Sequence, residues 1–374
     1  MIPFNRAAVA PHQLELVGES FTTANLSGDG PFTKMATQTL SELHGGATVL
    51  LTPSCTAALE LSALLLDLAS GDEVIVPSFT FSSTAAAFAL MGATIVFADV
   101  EAETLNIDPE QVAQLITTRT RAIAPVNYGG TPVSAKIRAL ADEHGVLMIE
   151  DNAHGLFAAA DGRPLGTIGE LSTLSFHQTK NITCGEGGAL VINDPSFIER
   201  AEILREKGTD RARFFRGMVD KYSWVDVGSS YLLADVNAAI LAAQLDHADE
   251  IQARRAAAWN HYHDALGSWA TEMGAGMLEP AAGATPSYHL FGLLMPDHAT
   301  RTDFLAHTKS EGVLAVFHYV PLHSAAAGRR VGSAPLGCPV SSDVSDRLVR
   351  LPLFSDIKVE EYERVAEVVA TFGR

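Results

Sequence analysis

The residues from Leu174 to Leu190, L-S-F-H-Q-T-K-N-I-T-C-G-E-G-G-A-L, hold a single lysine, Lys180. Apolar Leu174 and Phe176 precede it, and Gly185, Gly187 and Gly188 lead into the apolar run Ala189–Ile192. A strand ending near Ser175, a turn carrying Lys180 and a returning strand would hold its amine at a fixed point of a rigid sheet. An amine held in this way can form an imine with a carbonyl and then move a proton. Most single lysines are simply solvated, so Lys180 gains meaning only from what accompanies it.

Four other features accompany it. Ser54-Cys55-Thr56-Ala57-Ala58 follows a short apolar run and opens a helix. Its small residues let backbone N–H groups approach an anion, and the helix terminus adds about half a positive charge. The same residues also make an ordinary Ser/Thr cap. Pro77-Ser-Phe-Thr-Phe81 brings aromatic rings to a strand end, to lie on a flat ring or to fill the core. The run Val146–Ile149 delivers Glu150 and Asp151, with His154 three residues on. A carboxylate at the end of an apolar run is costly without a cationic partner. No neighbouring segment supplies an arginine, and a protonated heterocycle nitrogen would serve. A helix-capping Asp151 beside a surface His154 is the plainer alternative. Ser175, five residues before Lys180, can add a hydroxyl to a phosphate. A phosphate cradle, a flat ring, a carboxylate for a ring nitrogen and an imine lysine, in chain order, form the set that pyridoxal phosphate requires.

The elements that must position these residues alternate. Short apolar runs at Thr48–Leu51, Glu73–Val76, Thr94–Ala98, Arg121–Val126, Val146–Ile149, Leu171–Phe176 and Ala189–Asn193 read as strands. Helical spacing covers Phe32–Leu43, Ala57–Leu68, Ser82–Met91, Pro109–Ile116, Ser134–His144 and Ser196–Lys207. This rhythm predicts βαβ units and a largely parallel sheet buried on both faces, with ligands taken outside the carboxyl ends of its strands. From Thr209 to Ser229 the pattern breaks, and Arg211, Arg213, Arg216 and Lys221 mix with Phe214, Phe215, Tyr222 and Trp224. A long Ala-rich helix within Ala234–Ala265 then leads to a second region, with strands near His289–Met295 and Val313–Tyr319 and helices near Thr302–Glu311 and Val359–Phe372. The expected organisation is an N-terminal arm over residues 1–30, lying on the body or on a partner subunit, a large domain over 31–245 and a small one over 246–374.

The 374 residues, 47% of them hydrophobic, suffice for that much core. No run of roughly 18 apolar residues exists, so no membrane span is expected. The opening Met1-Ile-Pro-Phe-Asn-Arg6 does not lead from a basic into an apolar segment, so no signal peptide is expected. Cys55, Cys184 and Cys338 are odd in number and far apart, which fits free thiols in the cytoplasm and no metal site. A net charge of −18 argues against a nucleic-acid partner, though a local basic pocket can still take a small anion.

The chain resembles the DegT/DnrJ/StrS family of pyridoxal-phosphate-dependent sugar aminotransferases over essentially its whole length. The likeness rests on Met1-Ile-Pro-Phe-Asn, Leu50-Leu-Thr-Pro-Ser-Cys-Thr-Ala, Glu150-Asp151 with His154, Ser175-Phe-His, Lys180-Asn, Gly185-Glu-Gly-Gly, Glu206-Lys-Gly-Thr, Phe214-Phe-Arg-Gly and Val316-Phe-His-Tyr-Val-Pro-Leu-His323. The resemblance implies a fold-type I transferase: a mostly parallel seven-stranded sheet between helices, plus a smaller C-terminal α+β domain. It implies a Schiff-base role and proton transfer for Lys180, and pairing of Asp151 with the pyridine nitrogen. It sets His154 beside the ring and Phe81 where many relatives carry a larger aromatic. Thr56, Ala57 and Ser175 would bind phosphate. The substrates implied are L-glutamate and a nucleotide-linked keto sugar, with Lys180 favouring transamination over the dehydration run by relatives that carry histidine there. A homodimer with shared active sites is also implied. Where many relatives have Gly-Tyr-Asn in the loop reaching a neighbour's phosphate, this chain has Gly228-Ser229-Ser230, leaving Ser230 with shorter reach. For the sugar nucleotide, the candidate residues are Arg211, Arg213, Arg216 and Lys221, with His318, Tyr319 and His323 bordering the sugar; a solvated loop and core or turn positions are nearly equal alternatives.

Overall fold

The computed structural model describes residues 1–373. In chain order it begins with helices α1 (Gln13–Thr22) and α2 (Pro31–Leu43). The alternating part follows: β1 (Thr48–Thr52), α3 (Cys55–Leu65), β2 (Glu73–Pro77), α4 (Ser82–Leu90), β3 (Thr94–Ala98), α5 (Pro109–Leu115), β4 (Thr120–Ile123), α6 (Ala135–His144) and β5 (Leu147–Asp151). Two short strands, β6 (Ala159–Ala160) and β7 (Arg163–Pro164), precede β8 (Leu171–Ser175), β9 (Gly188–Ile192), α7 (Ile198–Arg205) and α8 (Arg211–Phe215). Helices α9 (Asp235–Asp246) and α10 (Ala248–Met273) complete this stretch.

The main sheet runs β1-β9-β8-β5-β4-β2-β3, with the two-residue strand Gly332–Ser333 added parallel to β3 at its edge. The seven expected strands are therefore joined by an eighth from much later in the chain. Only β9 runs antiparallel, between β1 and β8. Apolar side chains fill both faces: Leu61, Val74, Phe88, Phe97 and Ile149 belong to one cluster, and Ile75, Ile123, Ile137 and Met148 to another. This two-sided burial is why the strands read as unbroken apolar runs.

The Ala-rich stretch is two helices, because the backbone breaks at His247. A further cluster, including Trp259, Phe291, Phe304, Val349 and Val368, is built wholly from residues after 257. Its sheet pairs Gly276–Met277, Gly292–Leu294, Leu348–Arg350 and Val316–Phe317 in that order. The N-terminal segment is more regular than its turn-rich composition predicts. It contains α1, which packs on α9, and Ile2 bridges to Val313. Cys55, Cys184 and Cys338 are free. Among the described residues no helix is long and apolar enough to cross a membrane.

Candidate functional site

The strand ends of the main sheet open on a cavity of about 600 Å³. Its floor comes from three turns. After β1, Ser54 caps α3: its Oγ accepts the Ala57 N–H at 3.0 Å, while Thr56 Oγ1 lies 2.7 Å from Ser83 Oγ across the gap to α4. Asp151 ends β5 and His154 follows in its turn, while Ser175 ends β8 and Lys180 follows in the next turn. Ser54, Thr56, Phe81, Asp151, His154, Ser175 and Lys180 all line this one cavity.

The two adjacent carboxylates have different fates, because successive strand residues point to opposite faces. Glu150 is buried and accepts N–H groups from Gly166 (3.2 Å), Ile168 (2.8 Å) and Gly169 (2.8 Å), plus the Asn127 amide at 3.2 Å. The cost of its burial is met by backbone donors, not by the cation that the sequence argument required. Asp151 faces the cavity and accepts only from Thr84 Oγ1 at 2.7 Å and the Ala153 N–H at 3.2 Å. Burial raises its pKa, against the pull of Thr84. Among the described residues it has no ion-pair partner, so a buried carboxylate faces an open cavity one cation short. A protonated pyridine nitrogen fits that deficit.

Burial also pulls Lys180 down to about 8, with Cys55 and Asp151 acting in the opposite sense. Its amine is thus free of a proton far more often near neutral pH than an exposed lysine. The wall beside it is built from uncharged rings. Burial drives the pKa of His154, His289 and His318 down. His154 stacks on His289 at 4.2 Å and its Nδ1 accepts the Gly129 N–H at 3.3 Å, so its other ring nitrogen carries the hydrogen. His318 stacks on Tyr319 at 3.5 Å and its Nδ1 meets the Tyr128 hydroxyl at 3.0 Å. Phe81, 58% exposed, stands at the mouth with its ring 6.2 Å from that of Tyr319.

Other sequence candidates lie elsewhere. Ala57 sits just behind the lining, with its N–H taken by Ser54. Arg211, Arg213 and Arg216 pair with Glu206, Glu199 and Glu202, and none of them lines the cavity, nor do Lys221 or Ser230. Ser230 is exposed and bridges to Glu206. His323 is a structural residue: its Nδ1 lies 2.6 Å from Ser78 Oγ in a short 3₁₀ turn.

Four contributors escaped the sequence reading. Thr84 is the third residue of α4, where a threonine looks like an ordinary helix residue. Tyr128 opens a three-residue 3₁₀ turn, Tyr128–Gly130, and His289 sits in an irregular segment. Arg350 ends a three-residue strand from the far end of the chain. Phe4 and Asn5 of the N-terminal segment also reach the cavity, Asn5 donating to the Gln178 carbonyl at 3.0 Å.

The DegT/DnrJ/EryC1/StrS aminotransferase family model matches residues 9–370. Several solved structures have the same fold over nearly the full chain. The aminotransferase TlmJ from Streptoalloteichus hindustanus is 31% identical, with a TM-score of 0.90 and coverage of 99% of this chain and 98% of that one. DesV from S. venezuelae, solved in complex with a ketimine intermediate, is 29% identical, with a TM-score of 0.86 over 96% of this chain and 93% of that one. A DegT DnrJ EryC1 StrS aminotransferase from Brucella abortus is 26% identical, with a TM-score of 0.87 over 97% and 96%.

Proposed function

Since the chain belongs to the DegT/DnrJ/EryC1/StrS aminotransferase family, a family that works with pyridoxal 5′-phosphate, we propose that it moves the amino group of L-glutamate to the 4-keto carbon of dTDP-4-dehydro-6-deoxy-D-glucose. The products are dTDP-4-amino-4,6-dideoxy-D-galactose and 2-oxoglutarate, for surface polysaccharide synthesis of the enterobacterial common antigen type. The observation that carries the aminotransferase reading is the meeting of Lys180 and cation-deficient Asp151 in one cavity. The sugar assignment rests on the closeness of the quoted motifs to 4-keto-sugar transaminases. The protein works as a cytoplasmic homodimer, with the arm over residues 1–30 and a boundary near residue 245 between its two domains.

When bound, the cofactor supplies a carbonyl that captures amines and a ring that accepts the electrons of a carbanion. Lys180 Nζ is its attachment point. Burial leaves about half of this amine unprotonated near pH 8, so Nζ would serve as the base and acid that moves a proton between the substrate carbon and the cofactor carbon. Asp151, ionised beside the ring nitrogen, holds the proton there, and Thr84 fixes which carboxylate oxygen faces it. The α3 terminus with Thr56 and Ser175 would hold the phosphate, while Ala57 N–H stays on Ser54, and His154 would pack beside the ring. Tyr319 and His318 border the sugar.

The test uses purified holoenzyme, L-glutamate and a panel of dTDP- and UDP-linked 3- and 4-keto sugars, with products identified by NMR. An axial 4-amine formed on the dTDP-linked 6-deoxyhexose supports the assignment. Amination confined to a 3-keto or UDP-linked sugar would sink it.

A further inference from the structure

His12, Asp246 and His247 come together outside the cavity, and the mechanism uses none of them. One ligand atom from each lies within 4.8 Å of the other two. His12 Nε2 is 3.3 Å from Asp246 Oδ2. The His12 and His247 rings stand 4.8 Å apart, tilted by 59° and not stacked. His247 Nδ1 lies 3.2 Å from the Ala243 carbonyl and 3.8 Å from Asp246 Oδ2. Donating to the carbonyl, Nδ1 orients the ring and leaves the lone pair on Nε2, the arrangement that metal-bound histidines share. His12 stands just before α1, and among the described residues its side chain makes no capping hydrogen bond. Asp246 ends α9, and His247 is where the backbone breaks before α10. The framework around them is fixed. Helix α1 packs on α9, and buried Gln244 donates from Nε2 to the Ala8 carbonyl at 2.9 Å and to Gln13 Oε1 at 3.0 Å. Gln244 thus grips the chain on both sides of His12.

Two imidazoles and a carboxylate suit a borderline transition ion, whereas Ca²⁺ and Mg²⁺ take oxygen sets. A tetrahedral Zn²⁺ with bonds of about 2.0–2.1 Å holds its ligand atoms about 3.3 Å apart. The His12–Asp246 pair already has that separation. The wider pairs lie between side chains that keep some exposure and can close on an ion. We propose that His12, Asp246 and His247 bind one Zn²⁺, with water in the fourth position, and that the ion pins the start of α1 to the break between α9 and α10. The role is structural: the ion joins two segments that are far apart in sequence and already packed together. A chain of net charge −18 favours a cation as the bound species. His263 marks the contrast. Its two ring nitrogens meet Asp264 at 3.5 Å and Glu279 at 3.3 Å, and one ion cannot take both nitrogens of a single ring.

The experiment titrates full-length, tag-free holoenzyme with zinc chloride by isothermal calorimetry. Wild type is compared with His12→Ala, His247→Ala, Asp246→Asn and the control His263→Ala, each checked for fold by circular dichroism. The tightest phase in the wild type should take one ion per chain. His12→Ala, His247→Ala and Asp246→Asn should each weaken that phase at least about tenfold, and His263→Ala should leave it unchanged. Zinc should also raise the melting temperature of the wild type and not that of His12→Ala, because an ion held only by the folded arrangement stabilises it. Crystals of the wild type soaked in zinc should show an anomalous peak about 2 Å from a ring nitrogen of both His12 and His247; this holds even if a variant fails to fold. The proposal is overturned by a wild type with no one-to-one phase, by a phase that survives both histidine substitutions, by an equal loss in His263→Ala, or by soaked crystals with no zinc between His12 and His247.

Discussion

Thr84 Oγ1 donates to Asp151 Oδ2 at 2.7 Å, from the first turn of a helix to the last residue of a strand 67 positions later. Thr80 Oγ1 lies 2.9 Å from the same threonine hydroxyl and orients it. The bond joins the β2–α4 turn to the end of β5, so it fixes Asp151 against the cavity before any ligand arrives. Thr84→Val, nearly isosteric, should leave the fold intact by circular dichroism and lower kcat by about tenfold, the cost of a hydrogen bond to a charged group. Unaltered kcat would show that Asp151 needs no such support.

Asp151→Asn and Glu150→Leu should separate the adjacent carboxylates. Burial raises the Asp151 pKa above its unfolded value, so its ionisation opposes folding as pH rises, and removing the charge costs the cofactor-free protein no stability at pH 8. Activity should fall by about 10²–10³-fold with the loss of a preorganised charge. Glu150→Leu strands three buried N–H donors and should destabilise by at least about 3 kcal/mol. Urea melts and turnover assays on both variants check this; equal stability losses would contradict the division.

Lys180→Ala should abolish turnover. Borohydride reduction of the wild-type holoenzyme should place a cofactor-sized mass on the peptide containing Lys180, and none on the variant. A labelled peptide elsewhere would move the attachment point.

Cofactor capture by the apoenzyme should follow the free amine of Lys180. With its pKa near 8, the rate should fall about tenfold per pH unit below 8 and level off above roughly 9. A rate still climbing tenfold per unit at pH 9.5 would mean that Lys180 titrates as an ordinary exposed lysine.

Gly188→Ala tests how tightly the β1–α3 turn is seated. A Cβ there would stand 2.3 Å from the Cys55 nitrogen and 2.3 Å from the Ser54 carbonyl carbon. Since backbone, not a flexible side-chain end, stands in the way, the turn must shift. Cofactor affinity, measured by titrating the apoenzyme, should fall at least tenfold, with a lower melting temperature. Wild-type affinity would show that the turn takes no part in binding.

Much of the scaffold was legible in the sequence, because a strand buried on both faces and a helix packed on it leave short-range patterns. Thr94–Ala98 reads directly as β3, and the small residues after Thr52 announce the turn into α3. Asp151 at the end of β5 and the turn bearing Lys180 follow apolar runs that end where the charge begins. The break at His247, the helix α1 and the eighth strand Gly332–Ser333 left no such mark. Arg211, Arg213 and Arg216 look like an anion site in one dimension. In three, glutamates on and beside α7 already hold them.

The sequence by itself determined the alternation of strands and helices, and with it the edge where chemistry could occur, since periodicity and turn chemistry are local. It also supplied the residue types at that edge. Only the tertiary structure decided which of two neighbouring carboxylates is saturated and which is open, because that depends on donors brought from residues 84 and 166–169. It likewise took Arg350 from the far end of the chain and set it in the cavity with Lys180. The contacts that give these groups their charge state are long-range, and long-range contacts leave no spacing to read.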